Sequence, residues 1–196
     1  MSLPPDSTGA IPAETRSQLL NLRERVDAFV DVRPHDAIAR GAIREAIEGG
    51  LEGNAAVGCL ILDPEGQVLV SDRNRMLAPR FRSDLHAEMS AINIYEDNHP
   101  DGGDLRGHTL ITSLEPCEMC TIRIINSAVT TTLFVASDLG KGGITGPNSL
   151  APHWARLAEP LTFRPADCSE ELSDISLKVF TTTIGGVVEK MMARRT

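Results

Sequence analysis

At 196 residues, 41% of them hydrophobic, the chain has the length of one globular domain and enough apolar material for a core. Five Phe, one Trp and one Tyr leave that core to Leu, Ile, Val, Ala and Met. A formal net charge of -8 works against non-specific attraction to nucleic acid, which leans on Lys and Arg neutralising phosphates, although Arg73, Arg75, Arg80 and Arg82 cluster locally.

Residues 1–12 are polar and proline-bearing and read as a flexible lead without the apolar stretch of a secretory signal. From Ala13 to about Asp31, Leu19, Leu20, Leu22, Val26, Phe29 and Val30 recur near helical spacing. Arg33-Pro34 interrupts this helix, and a second one is expected from Asp36 to Glu48, ended by Gly49-Gly50. A hairpin follows: strand Ala55–Leu62, turn Asp63–Gly66 and strand Gln67–Ser71. Asp72 to Leu85 reads as loop, and His86 to about Asn98 as helix. After the glycine-rich residues 101–107 come a strand at His108–Ser113, a helix from near Pro116 to Ser127 and a β-branched strand at Val129–Ala136. Gly140 to Pro152 is irregular. Its stretch Gly140–Gly146 fits neither the Walker pattern nor G-x-G-x-x-G. Leu161–Arg164 reads as a short last strand and residues 168–193 as mostly helix.

Strands alternating with helices lead to an α/β sandwich built around βαβ crossovers. No apolar run approaches the roughly 18–20 residues of a membrane helix, so the expectation is a soluble, cytoplasmic protein with no membrane contact. Four Cys in such a chain point to metal or to reduced thiols before disulfides.

Chemistry concentrates in two places, His86-Ala87-Glu88 and Pro116-Cys117-Glu118-Met119-Cys120. Cys117 and Cys120 are three apart, so on a helix both sulfurs reach one ion. Pro116 suits a first helical position, and a helix N-terminus favours thiolate over thiol. With His86 as third ligand, the fourth tetrahedral position is left to water, as a catalytic zinc requires. In mid-helix a spacing of two would put His86 and Glu88 on nearly opposite faces, but in a first turn both can point into one cavity. Glu88 would then take a proton from water and carry protons to a ring nitrogen and to departing ammonia. Both motifs together, in this order, arise on the order of once in a thousand random chains of average composition.

Blander readings exist for each residue. The Cys pair suits a structural zinc site or a redox pair, but Cys59 lies in an apolar strand and Cys168 far along the chain, so no fourth ligand presents itself. Glu88 alone would be a solvated carboxylate favoured by the helix dipole. Asp138 follows a strand at a sheet edge where ligands gather, and a helix cap is its ordinary alternative. Trp154 reads as packing, and His35, His99, His108 and His153 lack ligand spacing.

At these residues the chain resembles the cytidine and deoxycytidylate deaminase superfamily, whose signature is H-x-E followed by P-C-x-x-C. The stretch Thr112-Ser113-Leu114-Glu115-Pro116-Cys117-Glu118-Met119-Cys120 looks most like the branch holding tRNA adenosine deaminases, guanine deaminases and fungal-type cytosine deaminases. Those relatives often read D-P-T-A-H-A-E where this chain has Arg82-Ser83-Asp84-Leu85-His86-Ala87-Glu88. The resemblance implies a three-layer α/β/α sandwich around a mixed five-stranded sheet, one Zn²⁺ per subunit held by His86, Cys117 and Cys120, and a homodimer. It also implies that Asn74, twelve residues before His86, contacts the substrate; the ordinary alternative is a turn residue. On this basis the chain divides into a lead and extra helix (1–33) and a zinc-dependent deaminase domain (34–196). The expected activity is hydrolytic deamination of a nucleobase or related aminoheterocycle, guanine and cytosine first. The alternatives are tRNA adenosine deamination and a non-catalytic zinc-stabilised scaffold.

Overall fold

The side chains of the sheet alternate between two separate cores, and that alternation sets the architecture. The fold is given by a computed structural model that describes residues 11–138 and 150–195; the Gly140–Gly146 stretch lies outside them. The elements in chain order are α1 (Ala13–Ala28), α2 (Asp36–Leu51), β1 (Gly58–Leu62), β2 (Val68–Arg73), α3 (Ala87–Asn98), β3 (Thr109–Leu114), α4 (Glu118–Asn126), β4 (Thr131–Ala136), α5 (Pro152–Ala158), β5 (Thr162–Pro165) and α6 (Glu170–Ala193). The sheet order is β2-β1-β3-β4-β5. β1 runs antiparallel to β2 and β3, whereas β3, β4 and β5 are parallel, with α4 and α5 as crossovers. This is the expected mixed five-stranded sheet. The short α5 falls where no helix was expected.

On one face, Leu60, Leu62, Ile111, Leu133 and Val135 pack against Ile43 and Ile47 of α2 and Leu172, Ile175 and Val179 of α6, with Leu19, Leu22 and Val26 of α1 in the same cluster. On the other, Cys59, Ile61 and Leu110 meet Ala87, Ala91 and Ile92 of α3 and Ile124 of α4. Three layers result. A sheet covered on both sides explains why β1 is buried at every position. The N-terminal helix is thus part of the α2–α6 layer. No helix among the described residues is long and apolar enough to cross a membrane.

Of the boundaries that differ from the sequence expectation, among them β2, which runs to Arg73 where a loop from Asp72 was expected, two do so for one reason. Gly49 and Gly50 do not end α2, which continues to Leu51 and turns at Gly53, where φ is +94°. A Cβ at Gly50 would lie 3.0 Å from Leu19 Cδ1 and 3.1 Å from both Ala56 Cβ and Thr183 Cγ2, so glycine here admits neighbours. Likewise β1 starts at Gly58, not Ala55; a Cβ there would come within 2.2 Å of the Ala42 carbonyl. Ala55 to Val57 leave the sheet, and Ala56 N–H donates to Thr183 Oγ1 of α6 at 2.9 Å.

Candidate active site

The C-terminal ends of β2, β3 and β4 lie at one edge of the sheet with the N-terminal end of β1, and the N-termini of α3 and α4 open beside them. His86 is the N-cap of α3 and Cys117 the N-cap of α4, both in extended geometry with ψ of 162° and 172°. Pro116 therefore precedes the cap and does not open the helix as expected. Cys120 sits one turn into α4, whose Thr121 N–H donates to the Cys117 carbonyl at 2.8 Å. Two helix N-termini thus converge on the motif residues, adding positive potential.

His86 Nδ1, Cys117 Sγ and Cys120 Sγ are 3.6 Å apart in every pair. Tetrahedral zinc, with Zn–S of about 2.3 Å and Zn–N of about 2.0 Å, separates two sulfurs by about 3.8 Å and sulfur from nitrogen by about 3.5 Å. The triad fits that ion, and three donors leave one position over. Among the described residues these three form the one cluster of at least three His, Cys, Asp or Glu placed for a metal. Cys59 and Cys168 belong to the two apolar cores instead, which removes the four-ligand structural site. Hydrogen bonding with Cys120, then with His86, holds the Cys117 thiol down to about 4 against burial; Cys117 and burial push Cys120 up. A bound dication deprotonates both.

Glu88 occupies the first turn of α3, 3% exposed, and accepts a hydrogen bond from Thr112 Oγ1 at 3.1 Å on Oε1. Burial pushes its carboxyl up from the usual range. It shares a cavity of about 250 Å³ with the metal triad, Asn74, Glu115 and Asp138. His86 stands just outside the helix and Glu88 just inside, so a spacing of two serves one cavity.

Asn74 is a turn residue that also lines the cavity. Its Oδ1 accepts the Met76 N–H at 3.0 Å, which is an Asx turn, and the residue is buried on the cavity wall. Because the oxygen is engaged, the Nδ2 amide is the group best placed to donate. Asp138 also lines the cavity, and its N–H donates to Glu115 Oε2 at 3.2 Å. Glu115 went unassigned in the sequence, although a carboxylate directly before Pro-Cys was a visible signal. Burial, with Asp138 adding to it, pushes its carboxyl up.

The C-terminal helix supplies a wall that sequence reasoning missed. Phe180, Ile184, Val187 and Met191 face the cavity, whereas Leu172, Ile175 and Val179 face the core. Spacings of four, three and four along 180, 184, 187 and 191 were the available signal, a second apolar stripe on one long helix. The arginine cluster is largely neutralised. Arg73 pairs with Glu45 and Glu52, Arg75 with Asp72, and Arg82 with Asp84.

The family model of the cytidine and deoxycytidylate deaminase zinc-binding region matches residues 33–136. A probable cytosine deaminase of Schizosaccharomyces pombe is 33% identical over 102 residues, 52% of this chain and 60% of that protein. A tRNA(Ile)-lysidine synthase of Deinococcus deserti is 31% identical over 119 residues, 59% of this chain but 22% of that protein. The chain therefore spans less than two thirds of either. A solved guanine deaminase from Nitrosomonas europaea shares the fold, with a TM-score of 0.53 and 18% identity over 92% of this chain and 94% of its own.

Proposed function

The chain belongs to the cytidine and deoxycytidylate deaminase zinc-binding family, and from that premise we propose that it hydrolytically removes an exocyclic amino group from a free nucleobase or a related aminoheterocycle, releasing ammonia. The observation that carries this reading is a buried carboxylate and a three-donor metal triad opening onto one cavity. Guanine and cytosine are the first candidates, in keeping with the names of two similar proteins.

His86, Cys117 and Cys120 hold the zinc, which when bound polarises the attacking water. Glu88 receives that water's proton and delivers protons to the ring nitrogen beside the amino-bearing carbon and to the leaving ammonia. Asn74 donates through Nδ2 to an acceptor on the ring edge. Asp138 accepts from a ring N–H or amino group. The apolar wall of α6 packs against the ring and excludes water. A homodimer remains the expectation that comes with the family resemblance.

The arginine pairing favours a small substrate over tRNA, because phosphate binding leans on cations free to meet it. A buried Glu88 facing the cavity argues against a passive scaffold, which has no use for a proton carrier. Ammonia release from zinc-quantified protein tests the proposal, over guanine, adenine, cytosine, their nucleosides, aminotriazines and a tRNA anticodon stem-loop. Turnover of one small heterocycle is expected, lowered about 10²–10⁴-fold by Glu88→Gln with zinc retained. Turnover of the stem-loop alone, or none with one zinc per chain, refutes it.

A further inference from the structure

Thr112 looks in the sequence like an ordinary β-branched strand residue. In β3 it lies opposite Cys59 on one neighbouring strand and Phe134 on the other, and it is fully buried. Valine would suit that packing equally well. A hydroxyl taken out of water there is unfavourable unless it is bonded. Its bond goes to Glu88 Oε1, at 3.1 Å.

Resting on the deaminase reading above, we propose that Thr112 is a positioning residue that fixes the orientation of the Glu88 carboxylate by holding its Oε1. A carboxyl group that shuttles protons must keep one orientation while it changes charge. The Thr112 hydroxyl donates to Oε1 whether Glu88 is ionised or carries a proton on Oε2, so this bond survives both states. No net proton is gained or lost by the pair over a turnover. Strand β3 suits this task because it is central in the sheet, paired on both sides, and so holds the hydroxyl rigidly.

Thr112→Val, Thr112→Ser and wild type, each as zinc-loaded full-length chain, provide the test. Thr112→Val is expected to lower kcat about 10–100-fold, the range for groups that orient a metal-site residue. KM should stay within about twofold, since only a transition-state interaction is lost, and zinc should remain at one per chain. Thr112→Ser should restore most of kcat. If valine is not accommodated, Thr112→Ala gives the same comparison. Unchanged kcat in the hydroxyl-free variant, or loss of zinc and kcat together in both variants, would overturn the proposal, the second outcome marking a structural role. A second readout does not need turnover. Crystal structures of the zinc-loaded variants should show the Glu88 carboxylate displaced or multiply oriented in Thr112→Val and in place in Thr112→Ser. An unmoved carboxylate in Thr112→Val overturns it. Absence of wild-type turnover on every substrate would defeat the deaminase reading, while the crystallographic comparison would still decide what Thr112 does.

Discussion

Against the face of the sheet covered by α1, α2 and α6 the buried side chains that meet the strands are hydroxyls bonded to backbone, whereas the face under α3 and α4 buries the carboxyls of Asp72 and Glu88 as well. On the first, Ser113 Oγ accepts the Gly58 N–H at 3.1 Å, Ser176 Oγ donates to the Ser113 carbonyl at 2.6 Å, and Thr183 Oγ1 accepts the Ala56 N–H. On the second, Asp72 is 2% exposed and bonds to Ser90 of α3 and to Arg75, and Glu88 lies beyond it with the His86–Cys117–Cys120 triad. Buried hydroxyls bonded to backbone cost little, while buried carboxyls cost much more and persist where chemistry needs them. The difference separates the core packed against α2 and α6 from the face that carries the His86–Cys117–Cys120 triad and its neighbouring carboxyls. The same alternation along β1 and β3 feeds both.

The sharpest way to break that division is Glu88→Gln. Beyond the loss of turnover already given, it should leave the thermal unfolding midpoint equal to or above that of wild type, because it removes a buried ionisable group. A clear fall in the midpoint would mean that Glu88 also supports the fold. The converse change is Ile43→Ala in α2, fully buried on the opposite face. Loss of its side chain should cost about 2–5 kcal/mol in denaturant unfolding with kcat unaltered below the transition. A parallel drop in kcat would show the faces to be coupled.

A smaller effect concerns Asp36, a buried acid on the first side that sits at helix ends and not over the sheet. Its Oδ2 accepts from Val32 N–H at 2.9 Å, Arg33 N–H at 2.8 Å and Ser169 Oγ at 2.8 Å, and its Oδ1 from Ser169 N–H at 2.7 Å. Burial alone would push this carboxyl up, but the four donors together hold it below its usual range. A depressed folded-state value means the stabilisation is complete above the unfolded value of about 3.9 and is lost as pH falls through the folded one. Asp36→Asn should therefore cost about 1.5 kcal/mol at neutral pH, and the gap to wild type should close below about pH 4. A pH-independent gap would assign the contribution to hydrogen bonding without charge. Asp36 joins the first residue of α2 to Ser169, the N-cap of α6, so its loss should leave zinc affinity unchanged.

The metal triad and the carboxyl beside it were expected from sequence alone, and the structure brings them to one cavity. Few residue types ligate zinc or carry protons, and His86, Glu88, Cys117 and Cys120 each sit within a few positions of a helix start, so local spacing sufficed. The order of strands and helices was legible through hydrophobic periodicity. Gly49-Gly50 was misread because glycine marks a helix end and a close approach with the same letter. Only the tertiary structure decided which apolar stripe of α6 faces the cavity, that Glu115 and Asp138 meet across parallel strands, that Thr112 holds Glu88, and that three of the four clustered arginines are paired. Each of these depends on how an element is rotated, or on partners tens of residues apart. Local sequence encodes spacing within an element, whereas the facing of one element on another is set by packing over the whole chain.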